Sequence, residues 1–173
     1  MRRSQLLAFM LLSALSCLSG KLAAQTQGTV SLAVTTAATG QDYDPRHVLA
    51  VWVTDTQNTF IKSLLVLAQR RIEYLYTWQT VSGGDDTDAV TGATVNTHQA
   101  HTVTWDCRDL SGNVVPDGDY RLRVEFTTRH AQGPLTPAGY LQFTKGPSEF
   151  TLTPPDLQYF KNMSLTCRPD TET

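Results

Sequence analysis

The sequence predicts an all-β fold, an immunoglobulin-like antiparallel β-sandwich with one short helix or crossover. Three observations carry that prediction. Most of the chain after residue 24 alternates apolar and polar side chains in period two, the spacing of half-buried strands. Clusters of Gly, Pro, Asn and Asp punctuate these segments, as turns between short strands require. Only Gln69–Trp78 changes to helical spacing, with Ile72, Leu75 and Tyr76 apolar and Arg70, Arg71 and Glu73 elsewhere. About eight strands in one domain is the pattern of such a sandwich.

Taken in order, "TVSLAVT" (Thr29–Thr35) sets Val30, Leu32 and Val34 on one face. "HVLAVWVTD" (His47–Asp55) alternates Val48, Ala50 and Trp52 with Leu49, Val51 and Val53. Both faces are apolar, which predicts a central strand. "FIKSLLVLA" (Phe60–Ala68) follows the turn cluster "DTQN" and completes a hairpin. After the helical stretch, "QTVSGGDDTD" is polar and Gly-rich, an exposed loop. Strands resume at His101–Asp106, Tyr120–Arg129, Tyr140–Lys145, Glu149–Pro154 and Asn162–Cys167. In the second of these, Arg121, Arg123 and Glu125 alternate with Leu122, Val124 and Phe126, so one face is expected wet and the other buried. Trp52, Trp105, Tyr120, Leu122, Val124 and Phe126 are the expected core.

Residues 1–24 read as a signal peptide. Arg2 and Arg3 form a basic start, Leu6–Leu18 is an apolar run short of a membrane span, and "LAAQ" offers cleavage after Ala24. The residues before Cys17 fit a lipidation box poorly, so a lipoprotein is not expected. No second apolar run of spanning length follows, and the expected location is the periplasm. Net charge is −2 and the 14 Lys and Arg are scattered, which argues against nucleic-acid binding. Residues 25–167 form the expected single domain, and 168–173 a disordered tail. Cys107 and Cys167 are left after cleavage. Parity and an oxidising compartment predict a disulfide between them; two separate thiols are the alternative.

"TWDCRDLSGNVVPDGDYRLRVE" (Thr104–Glu125) reads as strand, turn, strand. Trp105 anchors it, Asp106 and Asp109 can accept from turn amides, and Gly112 and Gly118 supply positive φ. This pattern resembles the Ig-like domain of flagellar hook-capping proteins and the sorting domains of some secreted bacterial proteins. A Gly usually follows the Trp-Asp pair there, and Cys107 takes its place here. Over a wider span, "YDPRHVLAVWVTDTQNTFIKSLLVLAQRR", "DAVTGAT", "HTVTWDCRD" and "PDGDYRLRVEF" follow the order of a family of predicted periplasmic bacterial proteins, domain of unknown function 2271. The resemblance covers Tyr43 to about Gly146. It implies a periplasmic single-domain protein without a settled activity. The family's context implies flavin transferases and membrane redox or PepSY-type proteins as partners.

"DAVTGAT" (Asp88–Thr94) also resembles the flavinylation motif of FMN-carrying extracytoplasmic proteins. That motif has Asp, two residues, Ser or Thr, Gly, Ala, then Thr or Ser. The resemblance implies Thr94 as the acceptor of FMN through its phosphate, with Asp88, Thr91, Gly92 and Ala93 at the other fixed positions. Small Gly92 and Ala93 let a transferase approach the backbone. The competing reading is a plain turn leading into a strand, with no cofactor.

Other chemistry is thinner. His98 and His101 form H-x-x-H, and with His47 and His130 they are the candidate metal ligands. The competing reading is ordinary surface or core histidines, and no metal is expected. Asp42, Asp44, Asp85, Asp86 and Asp88 lack the spacing of a calcium loop. No Ser/His/Asp or Cys/His order emerges, so an enzyme is not expected. Two functions stay open: an electron-transfer accessory with FMN on Thr94, or a non-catalytic Ig-like binding module of the envelope, serving metal uptake or surface assembly.

Overall fold

The alternating segments become strands close to where the sequence places them. A computed structural model describes residues 23–171. The strands are β1 (Gly28–Thr36), β2 (Val48–Asp55), β3 (Phe60–Leu67), β4 (Val90–Gly92), β5 (Ala100–Trp105), β6 (Gly118–Thr127), β7 (Leu141–Lys145), β8 (Phe150–Leu152) and β9 (Phe160–Pro169). A 3₁₀ turn (Ile72–Tyr74) and one helix, α1 (Tyr76–Ser82), lie between β3 and β4. Two sheets, in the orders β5-β1-β9-β8 and β4-β3-β2-β6-β7, form a sandwich. The signal-peptide reading falls on residues 1–24, of which 1–22 lie outside the described residues.

The two apolar faces of β2 have different destinations. Leu49, Val51 and Val53 enter the core between the sheets, with Val30, Leu32, Leu122, Val124 and Phe126. Val48, Ala50 and Trp52 face outward into a second cluster, closed by Val66, Leu75 and Trp78. The α1 segment is the lid of that second cluster. Trp78 is fully buried, and its indole Nε1–H donates to Ser63 Oγ at 2.9 Å.

Four expectations are corrected. The helix begins later than Gln69–Trp78 suggests and runs into the expected loop, ending at Gly83, whose left-handed φ of 66° stops it. Glu125 is not on a wet face: it has no exposed surface, because α1 lies over it. Its carboxylate accepts from the Trp78 and Thr77 amides at 2.8 and 3.2 Å, satisfying donors that a helix start leaves free. Burial pushes its pKa up, against those bonds. Cys107 and Cys167 are buried free thiols, not a disulfide. Val30 pairs with Trp105 on one side and Cys167 on the other, so β1 stands between the strand leading to Cys107 and the strand carrying Cys167. Burial pushes the Cys107 thiol up to about 12 and raises Cys167 as well. Last, β9 continues past Cys167 to Pro169, paired with Gly28 and Thr29, so the expected tail boundary moves outward.

The Trp105 hairpin forms as its residues dictate. Asp106 accepts from Arg108 N at 3.2 Å, and Asp109 from Ser111 N and Asn113 N at 2.9 Å each. Cys107 holds the left-handed φ of 57°, a backbone position that suits Gly. Tyr120 O–H donates back to the Pro116 carbonyl at 2.7 Å, tying the turn to β6.

Candidate functional site

Within Asp88–Thr94, residues Val90–Gly92 form the short edge strand β4, with a turn before it and irregular backbone at Ala93 and Thr94. Asp88 turns the chain with φ of 60°, which Asp tolerates. Its carboxylate lies 3.7 Å from Lys62 Nζ. Ala89 packs on the second cluster. β4 then pairs in parallel with β3, Leu65 opposite Val90, Val66 opposite Thr91 and Leu67 opposite Gly92. A side chain at Gly92 would begin 2.8 Å from Leu67 Cδ2, so the small residue keeps this pairing tight. Val90, Thr91 and Ala93 are exposed.

Past β4 the chain crosses to the start of β2. His47 N donates to Val95 O at 2.9 Å, and Val95 N to His47 O at 2.8 Å. Thr94 therefore hangs between two anchors, Gly92 on β3 and Val95 on His47. It is half-buried and lines a shallow depression with an accessible volume of about 10 Å³.

Residues remote in sequence complete that depression. Arg46, Arg71 and Arg129 line it, and no carboxylate does. Tyr43, Tyr74 and His130 form its aromatic wall. Tyr74 and His130 stack at 4.6 Å and 12°, Tyr43 meets His130 at 4.7 Å, and the Arg71 guanidinium sits 5.1 Å above the Tyr43 ring. Each aromatic pair contributes about 0.5–1.5 kcal/mol, so this wall is preformed. The loop before β2 supplies Tyr43 and Arg46, the 3₁₀ turn and its N-cap supply Tyr74 and Arg71, and the segment after β6 supplies Arg129 and His130. Tyr43 N donates to Thr128 O at 2.9 Å, which fastens the first of these segments to the last.

Behind the crossing lies a second, closed group. His47 is 1% exposed, stacks on His98 at 4.9 Å and 9°, and meets His101 edge-on at 6.2 Å. His47 Nδ1–H donates to the Pro45 carbonyl at 2.9 Å, which leaves Nε2 to accept from Thr36 Oγ1 at 3.4 Å. Burial lowers its pKa to about 4 and lowers that of His101 too. His98 Nε2 pairs with the Asp44 carboxylate. Burial pushes Asp44 up, but the His98 bond and the Gly40 amide hold it below its usual value.

The structure thus brings His98 and His101 into one cluster with His47 and places His130 apart, in the aromatic wall. Among the described residues, no group of three or more His, Cys, Asp or Glu is disposed to hold a metal ion. Tyr43, Arg46, Tyr74 and Arg129 escaped the sequence reading, which took Arg71 as a helix position and His130 as a candidate metal ligand. Signals for Tyr74 and Arg129 were present as "QRRIEYLY" and "TTRHA", which pair cations with rings, but only the fold joins them to Thr94.

No curated protein and no solved structure matches the chain. No helix among the described residues is long and apolar enough to cross a membrane. Residues 28–137 match the model of a family described as "Predicted periplasmic protein (DUF2271)". That match runs from β1 to the turn before β7 and contains Thr94 with every residue that lines its depression, so the chain belongs to the DUF2271 family of predicted periplasmic proteins.

Proposed function

We propose that the protein is an exported, periplasmic electron-transfer accessory that carries FMN covalently on Thr94. The observation that supports this reading most is the position of Thr94 beside three arginines and no carboxylate. A phosphodiester anion is what guanidinium groups recognise best. Arg46, Arg71 and Arg129 are the residues to hold the phosphate end. Asp88 and Gly92 set the path of β4 and thereby the place of the acceptor hydroxyl. When bound, FMN supplies the redox chemistry, and the protein positions it. A covalent bond suits an exported protein, because it keeps a cofactor that the compartment does not replenish. The partners that follow are a flavin transferase and a membrane redox protein of PepSY type. In this reading residues 1–24 are removed, so protein from the envelope fraction should begin near Gln25 by N-terminal sequencing.

One observation favours a second reading. The depression has an accessible volume of about 10 Å³, far below the roughly 300–1,000 Å³ of pockets that enclose a ligand. A β-sandwich that binds another envelope protein without any cofactor needs no deeper site. Protein purified from its own host, or co-expressed with a flavin transferase, separates the two. The flavin reading expects a yellow protein after denaturation, a mass greater by one FMN less water, and loss of both in Thr94→Val. Colourless, unmodified protein from the native envelope overturns it in favour of the binding module.

A further inference from the structure

We infer that Tyr43, His130 and Tyr74, with Arg71 above Tyr43, form the platform against which the flavin ring on Thr94 rests; this deepens the flavin reading and depends on it. The depression is too small to enclose a three-ring system, so the ring must lie against an outer surface within reach of Thr94. The surfaces around Thr94 differ in what they offer. Along β4, Val90, Thr91 and Ala93 face solvent as small or aliphatic side chains. Behind the crossing, His47 is sealed at 1% exposure and His98 and His101 are packed beside it. The remaining wall holds planar groups in water, with His130 exposed and Tyr43 and Tyr74 half-buried.

That wall has the chemistry an isoalloxazine needs. The flavin ring is planar and electron-poor, and phenol and imidazole faces stack on it. The His130 and Tyr74 planes are already within 12° of each other and Tyr43 is tilted by 35°, so Tyr74 and His130 are the aligned pair of the column. Arg71 places a fixed positive charge over the column, where it favours the anionic reduced flavin. Three segments must be folded together to make this column, which explains why a motif of seven residues does not announce it.

The test uses full-length protein co-expressed with a flavin transferase, with intact mass measured first. Folded, flavinylated protein should show flavin fluorescence several-fold below that of the same protein in urea, and a visible circular-dichroism band that urea abolishes. Tyr74→Leu and Tyr43→Leu should each raise the fluorescence at least two-fold at unchanged flavin content. Tyr74→Phe, which keeps the flat face, should retain the visible band. Arg71→Gln should make the midpoint potential more negative. Flavinylated protein whose fluorescence and visible band match the urea-unfolded sample, or stay the same in both leucine variants, overturns the platform while leaving the Thr94 reading intact. Protein that never gains the FMN mass overturns both.

Discussion

Two groups of rings lie on either side of the crossing where Val95 pairs with His47, and they differ in access to water. On the closed side, His47 and His98 pack against Phe126, with His47 5.4 Å from its ring, and His101 meets His47 edge-on. On the open side, Tyr43, His130 and Tyr74 stack at the surface among arginines. The residue types are alike, yet their work is not. Burial keeps His47 and His101 neutral, and hydrogen bonds to Pro45 and Thr36 fix the His47 tautomer. That side holds the loop before β2 against the segment before β5. The open side keeps ring faces and positive charge available to a ligand. The layer a histidine occupies decides its role, and residue type alone does not.

The comparison breaks if both sides respond alike to substitution. Phe126→Ala on the closed side is expected to cost about 3–5 kcal/mol in urea unfolding, because it opens a cavity among His47, His98 and Phe160. A loss under about 1 kcal/mol would mean the group is not packed as described.

Acidification sharpens the contrast next. His47 has its pKa lowered from 6.5 to about 4 in the folded protein. Between those values the unfolded chain binds more protons, so stability is complete above pH 6.5 and is lost as pH falls toward 4. The loss from His47 alone is at most about 3 kcal/mol. His101 acts in the same direction. The neighbours of His47 are His98 and His101, which oppose its charge, and Asp44, which favours it. Unfolding midpoints followed from pH 7 to pH 4 should drop, and His47→Gln should flatten the profile; a profile equally steep in that variant assigns the effect elsewhere.

Asp44→Asn is expected to have a smaller effect, about 1 kcal/mol, since Asn keeps an acceptor for His98 in this part-buried pair and only the charge is lost. Smallest of all, Tyr74→Leu on the open side should change stability by about 0.5 kcal/mol while altering the properties of a bound flavin. A stability loss as large as that of Phe126→Ala would make the aromatic wall a structural element rather than a binding surface.

Period-two alternation by itself determined the strands, because each side chain of a strand answers only to its own face of the sheet. The turn chemistry of Asp106, Asp109 and Gly112 was equally legible, since those contacts lie within a few residues of one another. The motif Asp88–Thr94 was visible as a string, but its parallel pairing with β3 was not, because three residues carry too little periodicity to announce a strand. Tertiary structure alone decided the rest. The α1 segment covers Glu125 and turns a position that alternates as solvent-facing into a buried acid. β1 stands between the strands of the two cysteines, which no count of thiols reveals. Arg46, Arg71 and Arg129 line one depression with Thr94 only when the loop before β2, the segment around the 3₁₀ turn and the segment after β6 fold to one edge. Local sequence encodes which face a residue takes; which remote segment that face then meets is set by burying both sides of β2 at once.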